Sequence, residues 1–581
     1  MRARLLIVGL VLGLVAVTGC LGTADDLSSA STDEEPQANL TEPVFDDVQR
    51  SEHVIQGEVD GEETEEIWLD VYRPADADRE VPVILVMTPY QSLGDALGAA
   101  GGEASANPSE QPYDADLVDF FVPRGYAVAF ADVRGNHNSG GCIDQSGEDQ
   151  WRDGYFTVEW LADRAWSNGN VGMHGISYDG ETQLTTALLN PPSLATIVPV
   201  ASVDSQYAYL HYEGVPYELQ GAGTMGGYLA ISAVPGTHPN AATSYPERFT
   251  CQPDNVQRAL DLSGDWNAYW DERAYWKKAS QSNVSMLRVH GFQDWNVKPD
   301  HIDPSSQRWG GEPQREIYGQ WNHAFPDRED WGGQGGILHR WYDHFLYETE
   351  TGIVEDLPPV LAEDTAEGWH GLEAFPPNGS RVELQLGADG SLVRSGAPAG
   401  EATLYDLPRG GQGTGAGSAA DPMVTTAGDR AGTPTRLVFE TEPLEEDLVL
   451  AGRPTVTFEA TTDAESTHWV AHLERVTEDG EASWINRGYQ DTRHRAGLDD
   501  PQPLEPGEPY DVAIEMFPQT DAVHAGEQLR LVLTNQDGWV HQDTTYAKST
   551  VQLGPEATLE LGLLSDEATP YREDALQPRA N

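Results

Sequence analysis

At 581 residues the chain exceeds what one hydrophobic core usually serves, so two or three domains are expected. Its formal charge of −61, from 95 Asp and Glu against 34 Lys and Arg, excludes the basic surface that grips nucleic-acid phosphates. A hydrophobic share of 39% with 16 Trp excludes wholesale disorder and leaves a folded, salt-adapted (halophilic) surface as the reading of that charge. At ~1 M salt the screening length falls to about 3 Å, so dense carboxylates repel one another little.

The N-terminus reads as an export signal. Met1-Arg2-Ala3-Arg4 carries positive charge, Leu5 to Val17 is apolar, and small residues precede Cys20. This resembles the lipobox of lipoprotein signal peptides. The resemblance implies lipidation at Cys20 and an exported enzyme held on the outer face of the cytoplasmic membrane. Residues 21–45 are acidic and polar and read as a tether.

From residue 46 the pattern becomes strands alternating with helices. Ile67 to Tyr72 alternates as an antiparallel entry strand does. Val81 to Met87 and Tyr126 to Val133 are apolar runs of the kind buried on both faces of a sheet. A helix is expected from Gly154 to Arg164, a strand from Val171 to Gly175, and a helix from Glu181 to Leu189, stopped by Pro191-Pro192. Strands follow at Ile197 to Val200, Met286 to His290 and Glu316 to Gly319, and a closing helix at His339 to Tyr347. This alternation predicts a mostly parallel sheet with right-handed crossovers over residues 46–351. Residues 203–280 break the rhythm with many Tyr and Trp and read as a helical cap inserted between two strands. Residues 352–567 turn to short alternating runs separated by Gly, Pro and Asp. Arg381 to Leu386, Thr455 to Ala460, Thr467 to Leu473 and Gln528 to Thr534 are examples, and they predict an all-β jelly-roll-like sandwich. Residues 568–581 read as a polar tail. Cys142 and Cys251 are either a disulfide or two buried thiols, and neither has metal-ligand spacing.

Three strand ends carry chemistry. Ser177 lies in Gly175-Ile176-Ser177-Tyr178-Asp179-Gly180, Asp294 in Gly291-Phe292-Gln293-Asp294, and His323 in Gly319-Gln320-Trp321-Asn322-His323. Serine, acid and histidine in that chain order, each after a strand, is the order of an α/β-hydrolase triad. The serine hydroxyl needs a base to take its proton, and the base needs an acid to fix its tautomer. The oxyanion would then meet the Tyr178 N–H and the hydroxyl of Tyr90, which follows the Val81 to Met87 strand. No metal or organic cofactor is required.

These segments resemble peptidase family S15, the Xaa-Pro dipeptidyl-peptidases and cocaine-esterase-like (CocE/NonD) α/β-hydrolases. Gly175 to Gly180 matches the family's G-x-S-Y-x-G, including the late glycine. Gly291 to Pro299 resembles its acid loop and Gly319 to His323 its histidine loop. Tyr126 to Gly135 and the helix with Trp341-Tyr342-Asp343 also match. Asp179 departs from it, standing where the family often has an apolar residue. The resemblance spans about residues 50–565. It implies an α/β-hydrolase domain with a cap and a C-terminal β-sandwich. It also implies a Ser177–Asp294–His323 triad and a Tyr90/Tyr178 oxyanion hole. The implied reaction is release of Xaa-Pro dipeptides from peptide N-termini. For that substrate Trp295 and the cap's Tyr212 are read as an apolar slot for the proline ring, and a cap acid, Glu213 or Glu218, as the group that holds the free ammonium. The alternatives are an esterase or amide acylase on the same triad, acting on a small acyl substrate, and a non-catalytic surface protein binding through the sandwich.

Overall fold

The computed structural model describes residues 40–91, 115–217, 261–326, 333–366, 368–406, 434–540, 546–564 and 568–571, together with residues 228, 232, 233, 236, 248 and 331. The signal segment with Cys20, the tether up to residue 39, much of the cap, Cys251 and the Gly-rich stretch 409–420 lie outside these residues. Cys142 is disulfide-bonded, and its partner also lies outside them.

One sheet of 11 strands organises the catalytic half. Its strands are β1 (Val48–Ile55), β2 (Ile67–Pro74), β3 (Val81–Thr88), β4 (Ala127–Asp132), β5 (Ser167–Ile176), β6 (Leu194–Val200), β7 (Ser285–Gly291), β8 (Gln314–Gly319), β9 (Val360–Glu363), β10 (Trp369–Leu372) and β11 (Thr569–Tyr571). Their spatial order is β1-β2-β4-β3-β5-β6-β7-β8-β9-β10-β11. The block from β4 to β9 is parallel, and the strands outside it pair antiparallel. The chain runs from β3 to one side, into β4, and then crosses to β5 on the other. The β3–β5 boundary is therefore the switch point of the sheet, where α/β folds open a crevice at the carboxyl ends of the strands.

The pleat explains why β3 is apolar throughout. Val83, Leu85 and Met87 face one core, shared with Trp151 and Leu184. Those two come from helices α2 (Glu148–Ala162) and α3 (Tyr178–Leu188). Ile84 and Val86 face a second core, shared with Leu117, Phe121, Leu338 and Trp341. These come from α1 (Ala115–Phe121) and α6 (Ile337–Leu346). Helices on both faces bury both sides of each central strand. The residues of the Trp341-Tyr342-Asp343 match anchor α6. Trp341 Nε1 donates to Thr196 Oγ1 at 2.8 Å, the Tyr342 hydroxyl donates to Met173 O at 2.9 Å, and buried Asp343 accepts from the Tyr126 hydroxyl and the Thr41 N–H.

The described part of the cap holds α4 (Gln206–Leu210), a short hairpin of His211–Tyr212 with Val215–Pro216, and α5 (Ala268–Glu272). Asn267 and Ser205 cap α5 and α4 through their side-chain oxygens.

The C-terminal region is a sandwich of a six-stranded sheet, centred on Lys548–Gly562 and Thr455–Thr462, and a four-stranded sheet, centred on His468–Val476 and Gln528–Thr534. Their inward faces share one core with Phe458, Trp469, Leu531 and Leu559.

The chain divides differently from the sequence reading in two places. β9 and β10 fall after residue 351 yet complete the catalytic sheet, so the sandwich proper begins near Arg381. Thr569–Tyr571, expected in a polar tail, pairs with β10 and ends the same sheet. Each of these strands has four residues or fewer, too short for alternation to mark it.

Candidate active site

Ser177 sits between β5 and α3 with φ 66° and ψ −124°, a strained conformation for a residue with a Cβ. The surroundings enforce it. Its N–H donates to Val200 O at 2.9 Å, and its carbonyl accepts the N–H groups of Gly180 and Glu181 at 2.9 and 3.0 Å. Two glycines make the turn possible. A Cβ at Gly175, where φ is 143°, would lie 2.4 Å from Asp179 Cβ. A Cβ at Gly180 would lie 2.8 Å from Val200 O and 2.9 Å from Ser202 Cβ, so α3 could not close onto the end of β6. The late glycine of the motif is thus a packing requirement between helix and strand. Asp179 itself is buried in the first turn of α3.

Asp294 follows β7 and is fully buried. Its Oδ1 accepts the N–H groups of Asn296 and Val297, both at 2.9 Å. Its Oδ2 lies 2.7 Å from His323 Nδ1. An ionised carboxylate has no proton to give, so His323 Nδ1 is the donor, which leaves Nε2 as the ring's basic nitrogen. The histidine loop is tied down two residues later. Phe325 stacks on His174 of β5, with centroids 5.3 Å apart and planes within 8°. Burial lowers the His174 pKa to about 4, so this stack is neutral. The Asp294–His323 pair is formed at the carboxyl ends of β7 and β8, and Ser177 is carried at the carboxyl end of β5 in the same sheet.

The expected oxyanion donors also meet. Tyr178 N–H points at the Tyr90 hydroxyl oxygen at 3.4 Å, joining the loop after β3 to the start of α3 across the switch point. Beneath them lies a buried carboxyl. Glu181 Oε1 accepts from the Tyr275 hydroxyl at 2.7 Å and from Gln206 Nε2 at 2.5 Å, and burial raises its pKa to about 7.

Of the residues expected to bind substrate, Glu218 lies outside the described residues and the other three are placed otherwise. Trp295 is 5% exposed and packs on Trp484 of the sandwich at 4.6 Å, with the Arg487 guanidinium 4.6 Å from its ring centroid. Tyr212 is buried against Phe517, at 4.8 Å, and donates its hydroxyl to Glu515 O at 3.1 Å. Both belong to the seam between the catalytic half and the sandwich. Glu213 is exposed, with φ 44°, and lines a cleft of about 330 Å³ with Tyr212, Asp300, Asp303, Arg453 and Glu515. None of Ser177, Asp294 and His323 lines that cleft. The side chains lining it come from parts of the chain far apart in sequence, from Tyr212 and Glu213 to Glu515, which is why sequence spacing could not separate a seam from a slot.

One residue at the site carries no signal in the sequence. Tyr228, in Met225-Gly226-Gly227-Tyr228 of the cap, places its hydroxyl 2.9 Å from that of Tyr90. A contact spanning 138 residues leaves no local pattern to read.

Comparison with known proteins agrees with this architecture. The family model of the X-Pro dipeptidyl-peptidase (S15 family) matches residues 60–325, and that of the X-Pro dipeptidyl-peptidase C-terminal non-catalytic domain matches residues 351–553. A Bacillus cereus protein named "Putative Xaa-Pro dipeptidyl-peptidase" is 26% identical over 562 residues, covering 91% of this chain and 92% of that one. The crystal structure of an aminopeptidase from a marine-sediment Thaumarchaeota archaeon superposes with a TM-score of 0.71 at 20% identity, covering 94% of this chain and all of that one. A CocE/NonD family hydrolase from Staphylococcus aureus superposes with a TM-score of 0.69 at 18% identity, over 89% of this chain and 93% of that one. The non-catalytic reading falls with these matches. With an α/β-hydrolase sheet, a serine elbow at its switch point and both halves of one family architecture in order, the chain belongs to peptidase family S15 and is a serine hydrolase.

Proposed function

We propose that the protein releases Xaa-Pro dipeptides from peptide N-termini through an acyl-enzyme on Ser177. The observation that carries this is the 2.7 Å Asp294–His323 pair, set at the same sheet edge as the strained Ser177 elbow. In this reading His323 Nε2 takes the Ser177 proton as Oγ attacks the acyl carbon. Asp294 holds Nδ1–H and stabilises the imidazolium. The oxyanion is held by Tyr178 N–H and the Tyr90 hydroxyl. His323 then protonates the leaving amine, and water, activated by the same histidine, resolves the ester. The peptidase preference is supported by the family models and by the name of the Bacillus cereus relative.

The test is turnover of Gly-Pro-nitroanilide against a short nitrophenyl ester in molar salt. Turnover of the anilide is expected. Turnover of the ester alone would replace the peptidase reading with an esterase or acylase on the same triad. Ser177→Ala should abolish both turnover and labelling by a fluorophosphonate. Retained turnover would remove Ser177 from the chemistry.

The export signal belongs to the same proposal, with Cys20 as the lipid-bearing residue and the enzyme acting on peptides outside the cytoplasmic membrane. Cys20→Ser should then move the activity from the membrane fraction to the medium. An unchanged distribution would remove the anchor.

A further inference from the structure

The hydroxyl groups of Tyr90 and Tyr228 lie 2.9 Å apart, and Tyr178 N–H points at the Tyr90 oxygen from 3.4 Å. The Tyr228 ring packs 5.1 Å from that of Tyr178 and 6.2 Å from that of Tyr90. It is 8% exposed. Burial pushes its phenol well above the ordinary value, and the neighbouring Tyr90 adds to that. The Tyr228 phenol therefore keeps its proton over the working range.

That proton count sets a constraint. Between two neutral hydroxyls only one donates to the other. If Tyr90 donates to Tyr228, its proton is turned away from any oxyanion beside Tyr178 N–H. If Tyr228 donates to Tyr90, the Tyr90 proton can turn to the oxyanion, and Tyr90 becomes a stronger donor because its own oxygen is accepting.

We propose that Tyr228 is a positioning residue of the cap that sets the direction of the Tyr90 hydroxyl, in a chain running from Tyr228 O–H to Tyr90 O and from Tyr90 O–H to the oxyanion. No proton changes owner along this chain; two O–H bonds only rotate. The inference rests on the Ser177 reading given above. It makes the cap part of the oxyanion hole, because Tyr228 is supplied from between β6 and β7 whereas Tyr90 follows β3.

The experiment is a double-mutant cycle on the full-length protein in molar salt, on whichever chromogenic substrate the wild type turns over. Tyr228→Phe keeps the ring and its packing and removes only the hydroxyl. A fall in kcat of about tenfold is expected, with KM within about twofold, since a weakened oxyanion donor counts for less than the 10²–10³ of a deleted one. In a Tyr90→Phe background the same Tyr228→Phe change should alter kcat by less than about twofold, because the chain it feeds is already cut. An equal loss in both backgrounds would make Tyr228 a packing residue and overturn the proposal. So would an unchanged kcat, or a rise in KM alone. Ser177→Ala, run alongside, separates the two levels. If it retains turnover, the underlying reading fails. If it is dead while Tyr228→Phe is silent, only the role of Tyr228 fails.

Discussion

Asp294 shows how much one atom's partner decides. Its Oδ1 is committed to two backbone N–H groups and its Oδ2 to His323 Nδ1. In Asp294→Asn the amide oxygen keeps the backbone pair and the NH₂ turns to the ring. His323 must then accept at Nδ1 and carry its proton on Nε2, the nitrogen meant to be the base. A loss of kcat of about 10³–10⁴ is expected, with KM little changed, and steady-state kinetics checks it. A loss under tenfold would show that the ring is oriented by something else. At this scale what was legible is position relative to a strand. Ser177, Asp294, His323 and Tyr90 each stand just past one, and a strand end is visible locally. Tyr228 was not, and neither was the role of Trp295, because what each touches lies in another part of the chain. Arg487, which covers Trp295 and Trp484 and bonds Asp537, is 192 residues from the acid loop it supports.

Among the elements, α3 follows the strained Ser177 turn and buries several polar side chains. Every residue from Tyr178 to Leu188 is buried, Glu181 included. Burial holds the Glu181 carboxyl at about 7, above its ordinary 4.5. Between those two values the folded chain binds more protons than the unfolded one, so stability falls as pH rises. The contribution is fully present below about 4.5 and is lost as pH passes through about 7. Glu181→Gln keeps an acceptor for Tyr275 and Gln206 and cannot ionise. Denaturant midpoints measured from pH ~5 to ~8 in molar salt should then decline less steeply than wild type, by on the order of 3 kcal/mol over the window. Parallel curves would mean that Glu181 titrates normally. Elements with long apolar or alternating runs were legible nearly to the residue, as at Arg381–Leu386 and Gln528–Thr534. α2 starts at Glu148, six residues before the expected Gly154, because its first turns are polar and bury that polarity. There Asp153 pairs with Arg134 Nε at 2.6 Å and accepts the Glu65 N–H at 3.0 Å, contacts that periodicity does not register.

For the whole molecule the decisive quantity is the charge of −61. Self-repulsion on that scale opposes compaction unless counterions screen it. Thermal unfolding followed from ~2 M down to ~0.05 M NaCl should show the midpoint fall by ten degrees or more. A flat profile would mean the carboxylates are balanced locally. A helix-flanked sheet followed by a sandwich was legible at this scale, since continuous apolar strands and short alternating ones differ in texture. The exchange of strands between the halves was not, because β9, β10 and β11 are too brief to show it. That exchange also governs how the molecule comes apart. The polypeptide leaves the catalytic sheet at β10, builds the sandwich, and returns to lay β11 against the strand it left, with Trp369 opposite Tyr571. A protease nick in the connector before Arg381 would therefore sever the backbone without freeing a fragment. The two pieces would still migrate together on a sizing column until denaturant was added, while a truncation ending at β10 would leave that strand's outer edge bare and prone to self-association.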